Sequence, residues 1–225
     1  MKKEIILTAD GSHSIRVPEM NVTYHSVHGA IQESLHVFIN AGFRSGHLLQ
    51  SDQCSILEVG FGTGLNALLT AIEAEKSGKS IYYVALEPFP LNEEQVLSLN
   101  YCELLGRKDL QNDFMRMHQC KWNKGVVVTE HLLMHKSNYI LQSFHHKIKF
   151  DLIYFDAFAP NAQPELWTKE IFEKMFAMLG PGGVLVTYCS KGDVRRAIQA
   201  AGFIVEKLPG PKGKREMIRG GKNQD

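Results

Sequence analysis

The sequence predicts an α/β protein built on a mostly parallel, doubly wound sheet. From about residue 52, apolar runs rich in β-formers alternate with segments of helical periodicity. Such alternation is typical of parallel strands, which need a long crossover between neighbours. In addition, Gly60, Gly62 and Gly64 directly follow the first apolar run. Open α/β sheets bind ligands at this position, beyond the carboxyl ends of the strands.

The first part of the chain precedes this alternation. Two β-forming runs, EIILTAD and SIRVP, flank the turn-rich GSH and predict a short hairpin. The segment SVHGAIQESLHVFINAGF then has helical spacing. Its apolar face consists of Ile31, Leu35, Phe38 and Ile39. We therefore expect a hairpin-plus-helix extension over residues 1–51, packed on a main domain over residues 52–225.

The main domain is expected to alternate strands and helices in chain order. Strands are predicted at 54–59, 81–87, 125–137 (one strand or two), 150–156, 182–190, 203–209 and 215–220. Helices are predicted at 65–78, 91–106, 164–180 and 191–202. Gly78 and Gly180 are the expected helix stops, and GPGG at 180–183 is expected to form a hairpin-like turn. Residues 107–124 are polar and fit neither pattern.

Composition excludes several classes of function. Hydrophobic residues make up 44% of the chain and the net charge is +1, so a nucleic-acid site would need local clustering of charge. The four cysteines stand apart without a CxxC, and the ten histidines form no HExxH, so neither a disulfide framework nor a metal site is predicted. No run approaches a membrane span, and the apolar part of the N-terminus is too short for a signal peptide. A cytoplasmic protein is expected.

The glycine motif LEVGFGTGLN, residues 57–66, differs from a dinucleotide fingerprint. Its spacing is GxGxG instead of GxGxxG, and an acid, Glu58, precedes the first glycine. A carboxylate suits the amino group and sulfonium of S-adenosylmethionine and does not suit a pyrophosphate. Glu87, at the end of the second main strand, is placed to accept from both hydroxyls of a ribose. The motif therefore favours S-adenosylmethionine over NAD.

The fourth main strand ends in DAFAP, residues 156–160. Asp156 supplies an acceptor that can hold an amine hydrogen and aim the nitrogen lone pair at a methyl group. The ring of Phe158 would tolerate the positive charge that builds on that nitrogen. We expect these two residues to be catalytic in the methylation of an amine. The structural alternative is that Asp156 caps the following turn and Phe158 belongs to the core.

Four segments together resemble a known family: ILEVGFGTGLN, ALEPFPL, DAFAPNAQPELWT and GPKGKREMIRG. They look like the methyltransferase half of the bifunctional tRNA 5-methylaminomethyl-2-thiouridine biosynthesis enzyme. TYHSVHGAIQESLHVFINAG is similar to that family's N-terminal block, so the resemblance runs from about Tyr24 to Gly220. It implies a Rossmann-like fold and methylation of the primary amine of 5-aminomethyluridine, with or without 2-thiolation, at the tRNA wobble position.

The resemblance also implies roles for individual residues. It places the cofactor loop at Glu58, Gly60, Phe61, Gly62, Gly64 and Asn66. It places the acid that binds the ribose at Glu87. It places the acid that serves the reacting amine at Asp156, which also lies at the edge of the cofactor site. The family usually has Gly-Asp facing the adenine where this chain has Ser137 and Asn138, and either can hydrogen-bond adenine. Glu33 matches an acid of the family's N-terminal block, which could meet the ammonium form of the substrate.

A tRNA substrate would need cationic contacts to phosphate and an aromatic ring for the extruded base. Lys212, Lys214 and Arg215, in a glycine-rich turn, are the predicted phosphate contacts. Tyr24 and Trp167 are candidates for stacking, although the spacing of Trp167 with neighbouring apolar residues also suits a core position. The family's FAD-dependent oxidase domain has no counterpart in this chain, so a separate pathway is expected to supply the aminomethyl intermediate.

Two other functions stay open on the sequence. One is a small-amine N-methyltransferase or aminopropyltransferase-like enzyme of the same fold, which a salt-insensitive rate would favour. The other is a catalytically inactive RNA-binding module, which failure to bind S-adenosylmethionine would favour.

Overall fold

The computed structural model describes residues 2–45, 48 and 51–224. Its strands are β1 (Glu4–Leu7), β2 (His13–Val17), β3 (Val22–Thr23), β4 (Gln53–Val59), β5 (Ser80–Leu86), β6 (Gly125–Thr129), β7 (Leu132–Ser137), β8 (Phe150–Phe155), β9 (Leu179–Thr187), β10 (Ile204–Pro209) and β11 (Glu216–Gly221). Its α-helices are α1 (Ala30–Ser34), α2 (Leu65–Ser77), α3 (Glu93–Leu97), α4 (Tyr101–Leu104), α5 (Gln111–Gln119), α6 (Lys169–Met178) and α7 (Gly192–Ala200). A π-helical segment, Leu35–Phe43, continues α1.

Within the described residues the main sheet has the order β10-β11-β9-β8-β4-β5-β7-β6. Pairing is parallel from β9 through β8, β4 and β5 to β7, and antiparallel at the two edges. This confirms the predicted mostly parallel α/β sheet. The chain runs outward from β4 to β5 and β7, then returns to β8 on the other side of β4. The carboxyl ends of β4, β5 and β8 thus meet where the strand order reverses, which is the ligand-binding position of such sheets.

The sheet is buried on both faces. Successive strand residues point to opposite faces, so Ile56 and Leu57 belong to different core clusters although both are fully buried. One cluster includes the buried face of α2 with Phe38 and Phe114, and the other includes Phe172 of α6. Burial on both sides explains why the strands read as continuous apolar runs and do not alternate. No helix of the described residues is long and apolar enough to cross a membrane.

The N-terminal segment packs on the main sheet. The predicted hairpin is present as β1 and β2, and β3 adds a third antiparallel strand. The π-helical segment lies against β8 and β9, where the rings of Phe38 and Tyr154 are 5.2 Å apart between centroids. The division of the chain at residue 51 stays a proposal. Residues 46, 47, 49 and 50, which precede it, and both terminal residues lie outside the described residues.

The predicted helix at 91–106 is interrupted. It forms the short helices α3 and α4, and Asn100 lies directly before the second. The Asn100 side chain accepts from the backbone of His13 at 2.8 Å and donates to the carbonyl of Gly11 at 2.9 Å. Because this side chain bonds the N-terminal hairpin, it ties the break to the turn between β1 and β2. The ambiguous region 107–124 contains α5, whose Phe114 and Met117 are buried.

The GPGG segment is not a hairpin-like turn. Helix α6 ends at Met178, two residues before the predicted stop, and the glycines lie inside β9. Phe150 pairs with Leu179 and Leu152 with Val184, so the glycine stretch forms a bulge opposite β8. A Cβ at Gly183 would lie 2.9 Å from the Gly180 carbonyl oxygen. The bulge brings two backbone segments too close for a side chain there.

Candidate active site

A cavity of about 380 Å³ opens at the carboxyl ends of β4, β5 and β8. The loop Gly60–Thr63 after β4, Glu87 after β5 and the segment Asp156–Phe158 after β8 form its walls. Tyr24 and His25, which follow β3, cover one side. The structure therefore brings together residues that are far apart in the sequence, as the predicted strand ends required.

The glycine loop is folded tightly against the neighbouring strand ends. Gly60, Gly62 and Gly64 all have positive φ, at 91°, 53° and 75°. The backbone amides of Gly60 and Phe61 both donate to the Leu86 carbonyl at 3.1 Å. A Cβ at Gly60 would lie 2.6 Å from the carbonyl oxygen of Asp156. Only glycine fits both the dihedral angle and this approach of backbone to backbone.

Glu58 lies beneath the loop and is fully buried. Its Oε1 accepts from Asn66 Nδ2 at 3.0 Å. Its Oε2 has no hydrogen-bond partner among the described residues. Burial raises the pKa of this carboxyl well above its usual value. Glu58 does not line the cavity in this conformation, so a direct contact of this residue with a cofactor stays a prediction.

Asn66, in the first turn of α2, joins two acids. Besides Glu58, its Nδ2 donates to Asp156 Oδ2 at 2.9 Å. The backbone amide of Asp156 donates to the Val59 carbonyl at 3.0 Å, which anchors this residue to the end of β4. The structure thus gives Asn66 an observed contact with the candidate catalytic acid, and its predicted contact with a cofactor stays untested. Sequence spacing does not predict such a contact, because the side chain bridges elements that are distant along the chain.

Asp156 is partly buried at the cavity wall. Burial, followed by the nearby negative charge of Glu33, raises its pKa from 3.8 to about 7. The hydrogen bond from Asn66 and the positive charge of Lys214 oppose that rise. A carboxyl group with this pKa exchanges a proton near neutral pH, which suits a general base.

Glu87 is a buried carboxylate on the cavity wall. Its Oε2 accepts from the Gly62 amide and its Oε1 from the Phe89 amide, each at 2.8 Å. Burial raises its pKa. Each carboxylate oxygen has a second lone pair, so Glu87 can accept from ribose hydroxyls while it holds the glycine loop.

Aromatic side chains line the side of the cavity next to Asp156. Tyr24 and Phe158 pack edge to face, with ring centroids 5.1 Å apart. Trp167, by contrast, is 5% exposed in the second core cluster, where it packs on Phe155. Its Nε1 donates to the Phe158 carbonyl at 2.8 Å. Trp167 therefore holds the backbone of the candidate catalytic segment, and its predicted stacking on a base is not supported by this position.

The predicted adenine contacts fall outside the cavity. The Ser137 side chain is buried without a partner among the described residues, and its carbonyl accepts from the Glu87 amide at 2.9 Å. Asn138 is exposed and accepts from Asn123 Nδ2 at 3.3 Å. Because β7 ends at Ser137, the chain turns and the next residues reach the cavity. These residues are Tyr139, Ile140, Leu141 and Gln142.

Glu33 and Lys214 form an ion pair, with 2.7 Å between Oε1 and Nζ. Lys214 belongs to the turn between β10 and β11, and its ammonium lies 3.8 Å from the ring centroid of Tyr188. Its ammonium is therefore already paired within the protein, and its predicted contact with an RNA phosphate stays a prediction. The neighbouring Lys212 and Arg215 are exposed, so these two remain available as predicted phosphate contacts.

Two buried basic side chains lie beside the glycine loop, and the sequence analysis did not assign either of them to the site. His25 Nε2 lies 2.6 Å from Thr63 Oγ1, and burial lowers the His25 pKa to about 4, so the ring is neutral at pH 7. Lys136 is 1% exposed, donates to the His118 carbonyl, and lies 4.3 Å from the Trp122 ring centroid. In the sequence, Lys136 is only a lysine near the end of an apolar strand. That pattern is too common to predict a buried lysine by itself.

Comparison with known proteins identifies the family. The family model described as "S-adenosyl-L-methionine-dependent methyltransferase" matches residues 108–223, about half of the chain. The chain belongs to this family. The cavity fits the implied cofactor, because its polar wall offers a carboxylate for the ribose and its apolar wall at 139–141 suits an adenine. Among the described residues, no group of three His, Cys, Asp or Glu side chains is arranged to hold a metal ion.

Relatives of this methyltransferase are named tRNA 5-methylaminomethyl-2-thiouridine biosynthesis bifunctional protein MnmC. The protein of Aromatoleum aromaticum is 33% identical over 207 residues, which is 88% of this chain and 32% of the relative. That of Cupriavidus metallidurans is 30% identical over 227 residues, 95% of this chain and 33% of the relative. The chain thus spans about a third of the length of these curated relatives.

Solved structures support the fold. The crystal structure of MNMC2 from Aquifex aeolicus matches with a TM-score of 0.78 at 24% identity, over 100% of this chain and 71% of that one. Spermidine synthase from Thermotoga maritima matches with a TM-score of 0.52 at 12% identity, over 100% of this chain and 72% of that one. The methyltransferase therefore has the Rossmann-like fold that its sequence predicted.

Proposed function

We propose that this methyltransferase transfers a methyl group from S-adenosylmethionine to the primary amine of 5-aminomethyluridine, or its 2-thio form, at the wobble position of tRNA. The observation that carries the proposal is Asp156, a carboxyl group with a pKa of about 7 between an aromatic pair and the glycine loop. The named relatives support the tRNA substrate, since they cover nearly the whole chain.

The cofactor side is formed by the glycine loop and Glu87. Glu87, on the cavity wall, would accept from the ribose hydroxyls, and Tyr139 to Gln142 would provide the wall for the adenine. When bound, S-adenosylmethionine supplies an electrophilic methyl group on a positively charged sulfur. The loop glycines allow close approach of a ligand because they carry no Cβ.

The substrate side is formed by Asp156, Phe158 and Tyr24. The aminomethyl group enters as an alkylammonium, which the ionised Asp156 binds. Asp156 takes one proton from it, which leaves a neutral amine with a free lone pair and a neutral carboxylic acid. That lone pair forms the new N–C bond while the methyl–sulfur bond breaks and its electrons remain on sulfur. The aromatic faces of Phe158 and Tyr24 stabilise the positive charge that returns to nitrogen.

Two exposed cations in the turn of the β10–β11 hairpin, Lys212 and Arg215, would bind the RNA phosphates. The wobble base would have to leave its stack to bring its aminomethyl group to Asp156 in the cavity. Tyr24, on the cavity wall, is the residue in position to stack on that base. Residues 1–51, which supply Tyr24 and Glu33, would form the extension that completes the site, in a cytoplasmic enzyme.

The test is methyl transfer from labelled S-adenosylmethionine to two tRNA pools, followed by nucleoside analysis. One pool bears 5-aminomethyluridine and the other 5-carboxymethylaminomethyluridine. We expect label in 5-methylaminomethyluridine from the first pool alone. Bound cofactor with no label in either pool would reject the proposal in favour of a small-amine methyltransferase, and absence of cofactor binding would favour an inactive RNA-binding module.

A further inference from the structure

The Glu33–Lys214 ion pair is not part of the cavity wall, and the reaction described so far gives it no contact with substrate or cofactor. Glu33 is 7% exposed, and its Oε2 accepts from the Ser26 amide at 2.8 Å while its Oε1 is bound to Lys214 at 2.7 Å. Each oxygen of this carboxylate therefore already has a partner within the protein. Asp156 lines the cavity and Glu33 does not, so an incoming ammonium group would meet Asp156 as its acidic partner.

The pair is joined to the catalytic segment by Tyr188, which follows β9. The Lys214 ammonium rests on the Tyr188 ring, and the Tyr188 hydroxyl donates to the Ala157 carbonyl at 2.9 Å. Ala157 is the residue next to Asp156. One continuous contact chain thus runs from the N-terminal helix, through the β10–β11 turn, to the backbone beside the catalytic acid.

The charged and titratable groups around Asp156 come from every neighbouring element. Glu33 on α1 and Lys214 in the hairpin turn act on it with opposite sign. Glu58 on β4 is joined to it through Asn66. Two buried phenols, Tyr83 on β5 and Tyr188, also interact with it. Tyr24, His25 and Glu87 line the same cavity. Of these groups, Lys214 is the one that carries a positive charge.

We propose that Glu33 and Lys214 are positioning residues that act on Asp156 as an opposed pair. Glu33 favours the proton-bound form of Asp156, and Lys214 favours the ionised form. The ion pair fixes both charges at a set distance, so that Asp156 is ionised when the substrate's ammonium arrives and still accepts its proton. The role in methyl transfer rests on the proposed function, whereas the effect on the proton affinity of Asp156 does not.

The test separates the two partners of one ion pair. In protein labelled with ¹³C at the Asp side-chain carboxyl carbons, the Asp156 signal is assigned with the variant Asp156→Asn and titrated without cofactor. We expect Glu33→Gln to lower the pKa of Asp156 and Lys214→Met to raise it, each by roughly half a unit or more. The double variant should titrate close to the wild type. The matched control is Lys207→Met, which breaks the Lys207–Glu216 pair of the same hairpin and should leave the signal unchanged.

A merely structural role predicts another pattern. Both single variants break the same ion pair, so loosening of the cleft would move the pKa of Asp156 in one direction in both. Shifts of the same sign, or no shift in either variant, would overturn the proposal. The apparent pKa in the acid limb of the pH profile of kcat/KM for aminomethyl tRNA should fall in Glu33→Gln and rise in Lys214→Met. If no RNA is methylated, the proposed function fails while the titration still decides this inference.

Discussion

At the scale of single residues, the folded protein strongly changes the proton affinity of Asp156. Its charged form has lost solvent and faces Glu33, so its pKa rises to about 7. A group with that pKa is ionised above pH 7 and protonated below it. We therefore expect methyl transfer to weaken as the pH falls through 7, because the acceptor for the amine proton is then already filled.

Replacing Asp156 tests this role directly. Asp156→Asn keeps the shape and the acceptor for Asn66 but removes the base. We expect kcat/KM to fall by about 10²–10⁴, the usual contribution of a general base. Calorimetry should show the cofactor dissociation constant within a few-fold of the wild type. The control Asp113→Asn, on α5, should be fully active, and wild-type turnover in Asp156→Asn would exclude the proposed base.

The same substitution should stabilise the fold in a pH-dependent way. The pKa of Asp156 is raised on folding, so its charge destabilises the native state fully above pH 7, and this cost disappears as the pH falls toward 4. We expect Asp156→Asn to raise Tm at pH 8.5 by about 2–8 °C. For a protein of this size, each kcal/mol of added unfolding free energy raises Tm by about 2–4 °C. The gain should vanish at pH 4. An equal gain at both pH values would mean that charge is not the cause.

At the scale of elements, the loop after β4 was well predicted in place and in composition. The sequence put Gly60, Gly62 and Gly64 between a strand and a helix, and the structure confirms that setting with positive φ at all three. The sequence could not show what the glycines touch. Gly60 abuts the Asp156 carbonyl and Gly62 abuts the Tyr24 ring, and both neighbours come from distant segments.

A pair of glycine substitutions separates dihedral strain from crowding. Gly60 and Gly78 both have positive φ, but a Cβ at Gly78 would meet nothing within 4 Å. We expect Gly78→Ala to cost about 1 kcal/mol. Gly60→Ala should cost about 1–3 kcal/mol more through overpacking, and it should also abolish cofactor binding. Urea unfolding measures the first effect and calorimetry the second. Equal stability of the two variants would contradict the close approach at Gly60.

The elements that were mispredicted have a common cause. The break between α3 and α4 coincides with an asparagine side chain that bonds the N-terminal hairpin, and GPGG forms a bulge inside β9. In both places a partner far along the chain overrides the local signal. Periodicity and turn composition describe only the segment itself, so such departures are not visible in them.

At the scale of the whole molecule, the balance of charge argues for a local RNA contact. The net charge is +1, so no general attraction to RNA is present. Several cations are also committed internally. Arg107 is paired with Glu75 and Asp109, and Lys214 with Glu33. The exposed turn residues Lys212 and Arg215 are therefore the predicted contacts.

Salt dependence tests that contact. Each phosphate contact contributes about 0.7–0.9 to the slope of log K against log salt. We expect the double variant Lys212→Ala, Arg215→Ala to weaken tRNA binding uniformly across sequences and to reduce this slope by about 1–2. Arg107→Ala is the control, because its guanidinium is already paired. A slope unchanged in the double variant would place the RNA elsewhere on the surface.

The sequence by itself determined the fold class, the cofactor and the edge of the sheet at which the candidate site lies. These follow from local patterns: strand and helix periodicity, a glycine loop, and acids at strand ends. Tertiary structure alone decided which side chains meet there. It joined Glu58 and Asp156 through Asn66, put Trp167 in the core, brought residues 139–142 to the cavity wall, and paired Lys214 with Glu33. Those contacts depend on residues up to 181 positions apart, and their distances and burial, which set the pKa values, exist only once the chain has folded.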